Sequence, residues 1–534
     1  MVGIAHPTPY PLPPMLSPLV WIPAISAAVI AFFPKMTSRI ARRIAFAIAF
    51  LLLIWSIFLG SQFQLFNSDW QFQEYMPWLE TLGLHYHLGI DGLSLPLLIL
   101  NEFLTSIAIY TTHPLTHRPR FFYTLILLLN AGISGAFLAQ DLLLFFLFYE
   151  AELIPLYLLI AIWGGDRREY AATKFLIYTA ISGILIIAAF LALVGISGAT
   201  NFDYNPSVSS TLPLAIQIPL LLTILLGFAI KTPLVPFHTW LPDAHVEAST
   251  PVSILLAGIL LKLGAYGFLR FGLGLFPEAW SVLAPWFATW AVVSVLYGVI
   301  VAIAQTDMKK MIAYSSIGHM GYVLLAAAAA TPISLTGAIV QMVSHGLISG
   351  LLFLLVGIVY DKTCSRNLNI LKGLLNPEQG LPVIGSLMIV AVMASAGIPG
   401  MAGFVGEFLC FRGSFSVFPI QTLLCMLGTG LTAVYFLTLI NRAFFGRLPE
   451  AMAELPPVKW SERIPAAILA AIIILFGIQP GWLISKTEAT TSAMKLTSSE
   501  LLVIKFTPLN PPMESYGVHT SLEIPLNPPY KGGL

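Results

Sequence analysis

Residues 227–236 read Gly227-Phe228-Ala229-Ile230-Lys231-Thr232-Pro233-Leu234-Val235-Pro236. An apolar helix reaches a lysine and then meets two prolines. Proline has no N–H, so Pro233 and Pro236 cannot donate to the carbonyls of Ala229 and Thr232. Inside a bilayer, freed carbonyls are tolerated only beside water or buried protein. The segment therefore reads as a broken membrane helix with a charge at its gap. A second stretch, Gly397-Ile398-Pro399-Gly400-Met401-Ala402-Gly403, repeats the pattern. Pro399 frees the carbonyl of Ser395, and Glu407 follows within two turns. Two interrupted helices in corresponding places of two halves predict inverted repeats with an ion path near the midplane.

The surrounding composition agrees. Of 534 residues, 57% are hydrophobic and 10% are Asp, Glu, Lys or Arg, and the mean hydropathy is +0.86. A soluble protein carries roughly 25% charged residues, so a multidomain soluble enzyme is excluded. With 26 basic and 25 acidic residues, the net charge of +1 leaves no basic field for nucleic acid. Cys364, Cys410 and Cys425 are widely spaced and too few for a four-thiolate iron–sulfur cluster. No redox cofactor is expected on this chain. The first residues are Pro-rich and lack Lys and Arg, unlike a cleaved signal peptide, so insertion is expected through the first spanning helix.

A membrane helix needs about 20 mostly apolar residues. Such runs occur near 16–33, 44–63, 92–112, 121–139, 142–163, 172–196, 213–235, 250–270, 280–304, 311–330, 334–360, 380–410, 420–444 and 464–484. The expectation is an all-α polytopic membrane protein of about fourteen transmembrane helices, without the alternating strands of a barrel. Its organisation would be an N-terminal group of helices over 1–112, repeats over 113–275 and 276–448, a last helix over 449–484, and a polar, Pro-rich tail over 485–534. That tail reads as disordered.

Charged loops set the orientation. Odd-numbered loops hold Lys35, Arg39, Arg42, Arg43, Arg118, Arg120, Arg167, Arg168, Lys174, Lys309, Lys310, Lys362, Arg366, Lys372, Arg442, Arg447, Lys459 and Arg463; even-numbered loops hold only Arg270 and Arg412. Both termini are therefore expected on the non-cytoplasmic side.

A charge at mid-bilayer costs on the order of 3 kcal/mol on insertion scales, so Glu102, Glu150, Glu152, Lys231, Lys262, Glu407, His319 and His345 are functional candidates. Charges of both signs on several helices point beyond simple packing. Desolvation moves lysine and carboxylic acid toward their neutral forms, and a neighbouring opposite charge reverses this. Glu150 approaching or leaving Lys231 would load or release a proton. His319 and His345 titrate in a range suited to relaying between the lysines and Glu407.

Other motifs are weaker. Gly428-Thr429-Gly430-Leu431-Thr432-Ala433 matches a dinucleotide fingerprint but has no preceding strand; close helix packing explains it better. His238, Asp243, His245 and Glu247 can be drawn as a metal cluster, yet a proton entrance or a capping role fits a loop better. Asn101 offers Glu102 a simple packing partner.

Over about residues 85–480 the chain resembles the antiporter-like proton-pumping subunits of respiratory complex I. The resemblance rests on Gly89-Ile90-Asp91-Gly92-Leu93-Ser94, on Phe148-Tyr149-Glu150-Ala151-Glu152-Leu153-Ile154-Pro155, and on Lys231-Thr232-Pro233 through His238-Thr239-Trp240-Leu241-Pro242-Asp243-Ala244-His245. It also includes Leu256-Ala257-Gly258-Ile259-Leu260-Leu261-Lys262-Leu263-Gly264-Ala265-Tyr266-Gly267. Within the family it is most similar to the chain 4 branch of cyanobacterial and chloroplast NAD(P)H–quinone oxidoreductases.

The resemblance implies fourteen helices, two inverted five-helix repeats and a hydrated polar axis. Glu150 would modulate Lys231 as the pumping lysine, Lys262 would connect, and His319 and His345 would relay toward Glu407. It places NAD(P)H or ferredoxin, iron–sulfur clusters and plastoquinone in other membrane and hydrophilic subunits. It implies a cyanobacterial thylakoid membrane with lumenal termini. His245-Val246-Glu247 carries valine where relatives often have a small residue. The alternative function is a subunit of a multi-subunit sodium/proton antiporter, and a third is a scaffold without transport.

Overall fold

A computed structural model describes residues 14–33, 36–112, 117–452 and 454–494. The first thirteen residues, Lys35 and the tail from residue 495 lie outside the described residues. Helices α1 (Ser17–Phe32) and α2 (Ser38–Gln62) open the chain, followed by strands β1 (Gln71–Leu79) and β2 (Leu84–Ile90). Next come α3 (Ser94–Thr111), α4 (Pro119–Leu138), α5 (Leu142–Ala151), α6 (Leu153–Trp163), α7 (Arg168–Ser197), α8 (Pro206–Ser210) and α9 (Leu214–Lys231). The middle holds α10 (Trp240–Glu247), α11 (Thr250–Leu255), α12 (Leu261–Gly267), α13 (Pro277–Ile303), α14 (Met308–Ala329) and α15 (Pro332–Thr363). The chain continues through α16 (Pro382–Ser395), α17 (Ala402–Phe415), α18 (Pro419–Ala443), α19 (Trp460–Ile478) and α20 (Gly481–Met494).

Twelve helical stretches among the described residues are long and apolar enough to cross a membrane. Two shorter apolar helices, α1 and α16, complete the correspondence with the fourteen apolar runs. The stretch from α11 through α12 and α15 are buried along their apolar windows, whereas α2, α7, α18 and α19 turn much of their surface outward. Leu51, Ile184, Leu437 and Leu475 belong to that outward apolar surface.

Loop contacts support the alternation of ends. Arg366 of one odd loop pairs with Asp307 of another at 2.6 Å and donates to the Val246 carbonyl, while Arg167 donates its backbone N–H to Glu247. At the other end, Arg270 pairs with buried Asp91 at 2.5 Å, and Tyr204 donates to the Arg270 carbonyl. Even-numbered loops thus meet even-numbered loops, and odd meet odd. A missed span would have mixed the two groups.

Three features depart from the sequence reading. First, β1 and β2 form an antiparallel hairpin around Gly83, whose φ of +66° suits glycine. Leu84, Tyr86, Leu88 and Ile90 alternate inward, a pattern too brief to stand out among long apolar runs. Second, residues 485–494, read as the start of a disordered tail, belong to α20. Its threonines face protein: Thr490 accepts from the Gly92 N–H at 2.9 Å, Thr491 lies 2.9 Å from Thr336, and Lys486 donates to the Gly60 carbonyl at 2.5 Å. Third, the run at 142–163 breaks at Glu152, because Pro155 cannot donate to the Ala151 carbonyl.

Close helix approach holds the second broken helix. Gly337 of α15 lies against the backbone of Leu409 and Cys410; Gly406 and Gly413 of α17 lie against the backbones of Gln341 and Ser334. A β-carbon at Gly413 would overlap the Ser334 backbone, which has little freedom to move. Gly413→Leu is therefore expected to destabilise the detergent-solubilised protein by about 1–3 kcal/mol. Thermal unfolding checks this, and an unchanged midpoint would show that α15 and α17 do not depend on this approach.

Candidate functional site

The first cluster forms where α9 ends. Thr232 still donates to the Phe228 carbonyl at 2.8 Å, but Pro233 stops the ladder. Leu234 takes over the Ala229 carbonyl at 2.9 Å, and Trp240 Nε1 donates to the Ile230 carbonyl at 2.8 Å. The peptide between Val235 and Pro236 is cis. The carbonyl of Ala229 is thus repartnered within the break itself.

Lys231 is buried and forms an ion pair with Glu152, which is also buried. Its ammonium stands over the Tyr149 ring, 3.6 Å from the centroid, a cation–π contact. Tyr149 is 2.9 Å from the Ser182 hydroxyl, which donates to the Gly227 carbonyl at 2.7 Å. The sequence reading paired Lys231 with Glu150. In the structure the contacting carboxylate is Glu152, while Glu150 lies beside Gly183. Helical geometry puts residues two apart on nearly opposite faces, and the interruption at Glu152 is what turns that residue inward. Pro155 was the available sequence signal.

The second cluster is continuous. A π-helical turn, Leu256–Leu260, precedes Lys262. The Lys262 ammonium donates to the Ala257 carbonyl at 2.6 Å and lies 2.8 Å from His345 Nδ1. His345 Nε2 is 3.1 Å from the Ser316 hydroxyl, and the His345 and His319 rings are 5.4 Å apart. His319 Nε2 lies 3.1 Å from the Ser395 carbonyl, the acceptor that Pro399 was expected to free. The same nitrogen is 3.5 Å from Glu407. Thr429 Oγ1 lies 3.1 Å from Glu407 and 3.1 Å from the Tyr322 hydroxyl. Lys262, His345, His319 and Glu407 are all buried.

These two clusters approach each other through packing. Gly264, two residues beyond Lys262, rests against Phe228 and Thr232 beside Lys231. Among the described residues, no hydrogen bond joins Lys231 to Lys262.

Toward the odd-loop end, His245 is buried and stacks on Phe353 with centroids 4.3 Å apart. Buried Lys309 donates to the Ala248 carbonyl at 2.8 Å. Lys309 also lines a cleft of about 710 Å³ together with Arg167, Glu247, Asp307 and Arg366. The sequence reads Lys309 only as a loop charge; it stands in the first turn of α14, buried against the segment that carries Ala248. Asp243 pairs with Lys174 at 2.8 Å and Glu247 receives the Arg167 N–H, so His238, Asp243, His245 and Glu247 do not converge as a metal cluster. Glu102 accepts from Asn130 at 2.9 Å and from Ser134 at 2.8 Å, while Asn101 joins the same network. Gly428 packs against Val295 and Tyr322, in keeping with close helix packing.

Known proteins show the same organisation. The family profile described as NADH:quinone oxidoreductase/Mrp antiporter, TM, matches residues 139–432. NAD(P)H-quinone oxidoreductase chain 4 3 of Trichormus variabilis is 38% identical over 506 residues, spanning 92% of this chain and 93% of the relative. A chain of respiratory complex I from Thermus thermophilus with bound NADH superposes with a TM-score of 0.82 at 26% identity, covering 92% of this chain and 99% of that one. A chain of the Mrp complex from Dietzia sp. DQ12-45-1b shares the fold, with a TM-score of 0.81 at 20% identity over 92% and 98% of the two chains. With a match over more than half its length and such identity across nearly all of it, the chain belongs to the NADH:quinone oxidoreductase/Mrp antiporter transmembrane family.

Proposed function

We propose that this chain is the proton-translocating membrane subunit of an NAD(P)H– or ferredoxin–plastoquinone oxidoreductase. Redox chemistry takes place in other subunits, which hold the nicotinamide or ferredoxin site, the iron–sulfur clusters and the quinone. The observation that carries the reading is the file of buried groups from Lys262, hydrogen-bonded to His345, across the packed His345 and His319 rings to Glu407, 3.5 Å from His319. The proposed organisation has two inverted repeats, 113–275 and 276–448, each with one Pro-broken helix. The proposed location is a cyanobacterial thylakoid membrane with both termini lumenal, consistent with the loop charges.

In this mechanism Glu152 and Glu150 set the proton affinity of Lys231. Two unit charges about 4 Å apart attract by about 4 kcal/mol at an effective dielectric of about 20, equivalent to roughly three pKa units. Separating Glu152 from Lys231 would release the lysine's proton toward Lys262. His345 contacts Lys262 through one ring nitrogen and Ser316 through the other. A proton accepted at Nδ1 can therefore be matched by one leaving from Nε2. His319 then stands between that ring and the Glu407 carboxylate. The cleft beside Lys309 offers water access from the odd-loop end.

Two measurements test this on the assembled complex in proteoliposomes. Lys231→Ala is expected to lower proton transport much more than assembly or electron transfer; an assembled variant pumping with unchanged stoichiometry would reject the role. Copurification of hydrophilic redox subunits favours the oxidoreductase, and of small antiporter subunits the sodium/proton alternative.

The second compares the two glutamates. Since Glu152 makes the contact, Glu152→Gln is expected to slow coupled proton flux by about tenfold, equivalent to about 1.4 kcal/mol in the barrier, and Glu150→Gln by less. The reverse order would restore Glu150 as the principal partner of Lys231.

A further inference from the structure

A separate set of ionisable side chains lies at the even-loop end, away from the buried file. His85 and His87 project from one face of β2, two residues apart. Asp203 follows α7, and Asp141 begins α5. His85 Nδ1 is 3.0 Å from one Asp203 oxygen, and His87 Nδ1 is 3.2 Å from the other. One ligand atom each from His85, Asp141 and Asp203 falls within 4.8 Å of the others. We propose that His85, His87, Asp141 and Asp203 form a binding site for a divalent transition cation of the zinc class.

The spacing suits such an ion. A tetrahedral cation with bonds of about 2.0–2.2 Å holds its ligand atoms roughly 3.3–3.6 Å apart; His85, Asp141 and Asp203 already bring one ligand atom each within 4.8 Å of one another, and His87, whose Nδ1 faces the other Asp203 oxygen at 3.2 Å, would turn in as the fourth ligand. Two imidazoles and two carboxylates are also a donor set that zinc accepts.

The surrounding hydrogen bonds point the same way. His87 Nε2 lies 3.3 Å from Gln73 Oε1, an atom that only accepts. Nε2 therefore carries hydrogen, and a neutral ring directs its Nδ1 lone pair at an Asp203 oxygen. Two lone pairs facing each other need a positive species between them, either a proton or a cation. Asn201 donates to Asp203 at 3.0 Å, so a histidine and a carboxylate each have an outer partner of the kind that orients metal ligands. Two neighbouring carboxylates also leave charge for a dication to neutralise.

The frame is fixed by backbone hydrogen bonds. Gln140 donates to the His87 carbonyl at 2.8 Å, Phe202 to Gly83 at 3.1 Å, and Tyr204 to Gln140 at 2.7 Å. Tyr75 packs against both imidazoles, with centroids 5.1 and 5.2 Å away. His85 and Asp203 remain partly exposed, so an ion can reach them from solvent.

The test uses the full chain in detergent, titrated with Zn²⁺ alone by calorimetry, with Co²⁺ as an optical probe of tetrahedral coordination. One saturable site is expected. His85→Ala combined with Asp203→Asn should abolish it, and His117→Ala, an exposed histidine elsewhere, should retain it. Gln73→Ala touches no proposed ligand bond and should weaken affinity about 10–100-fold through the lost outer partner. Absence of saturable binding to the folded wild type overturns the proposal, as does wild-type affinity in the double variant. If the double variant does not fold, Gln73→Ala decides, and unchanged affinity there overturns the site.

Discussion

A helix crossing lipid must satisfy its own backbone, since no water is present to do it. Wherever the ladder lapses, the protein has to supply another partner for the freed carbonyl. Here the lapses stand beside charged or titratable side chains. The Ala257 carbonyl in the π-helical turn receives the Lys262 ammonium, and the Ser395 carbonyl at the Pro399 break faces His319. Lys231 sits at the last turn before Pro233, and Glu152 occupies the interruption between α5 and α6. Each group costs free energy in apolar surroundings, and each break exposes an unpaired dipole. Bringing the two together offsets both costs and fixes ionisable groups at membrane depth.

Packing then determines the spacing of the groups along the proposed route. Helices α14 and α15 are surrounded by other helices, so His319 and His345 sit in fixed positions with ring centroids 5.4 Å apart. Glycines at the α15–α17 crossing let the backbones meet and bring α17, with Glu407, to the far side of His319. Histidine is suited to this place because its two ring nitrogens face different neighbours. Lysine can also serve both neighbours: its ammonium has three donors and here engages Ala257 and His345 at once.

Much of this was legible in the sequence, for reasons that differ by residue. Pro233, Pro236 and Pro399 announce their breaks because proline's effect on the ladder is local and does not depend on the fold. Apolar length gave the fourteen runs, and loop charge gave their alternation. The Glu152 contact was harder to see, since the same Pro155 lies in a run long enough to pass as one continuous helix. The π-helical turn before Lys262 holds no proline, and its one glycine, Gly258, is common inside membrane helices, so nothing local marks it. Lys309 looked like a loop charge because its burial comes from Ala248 and neighbouring segments far away in sequence. The start of the tail reads as disordered for the same reason: Gly92 and Thr336, the partners of its threonines, are distant along the chain.

The proposed route also has a discontinuity that its chemistry can use. From Lys262 to Glu407 successive groups lie within contact, whereas Lys231 meets Lys262 only through the packing of Gly264 on Phe228 and Thr232. A proton held by Lys231 is stabilised by Glu152 and by the Tyr149 ring, and it has no bonded path onward. A fully connected file would equilibrate along its length and could not hold protons against a gradient. Two stores separated by a junction can be filled at different times, provided that something changes the junction. The broken end of α9 and the interruption at Glu152 lie on either side of that ion pair. A modest shift of α5 or α9 would weaken the Glu152 contact and bring Lys231 toward Lys262, so the same irregularities that hold the charges also supply the point at which transfer can be controlled.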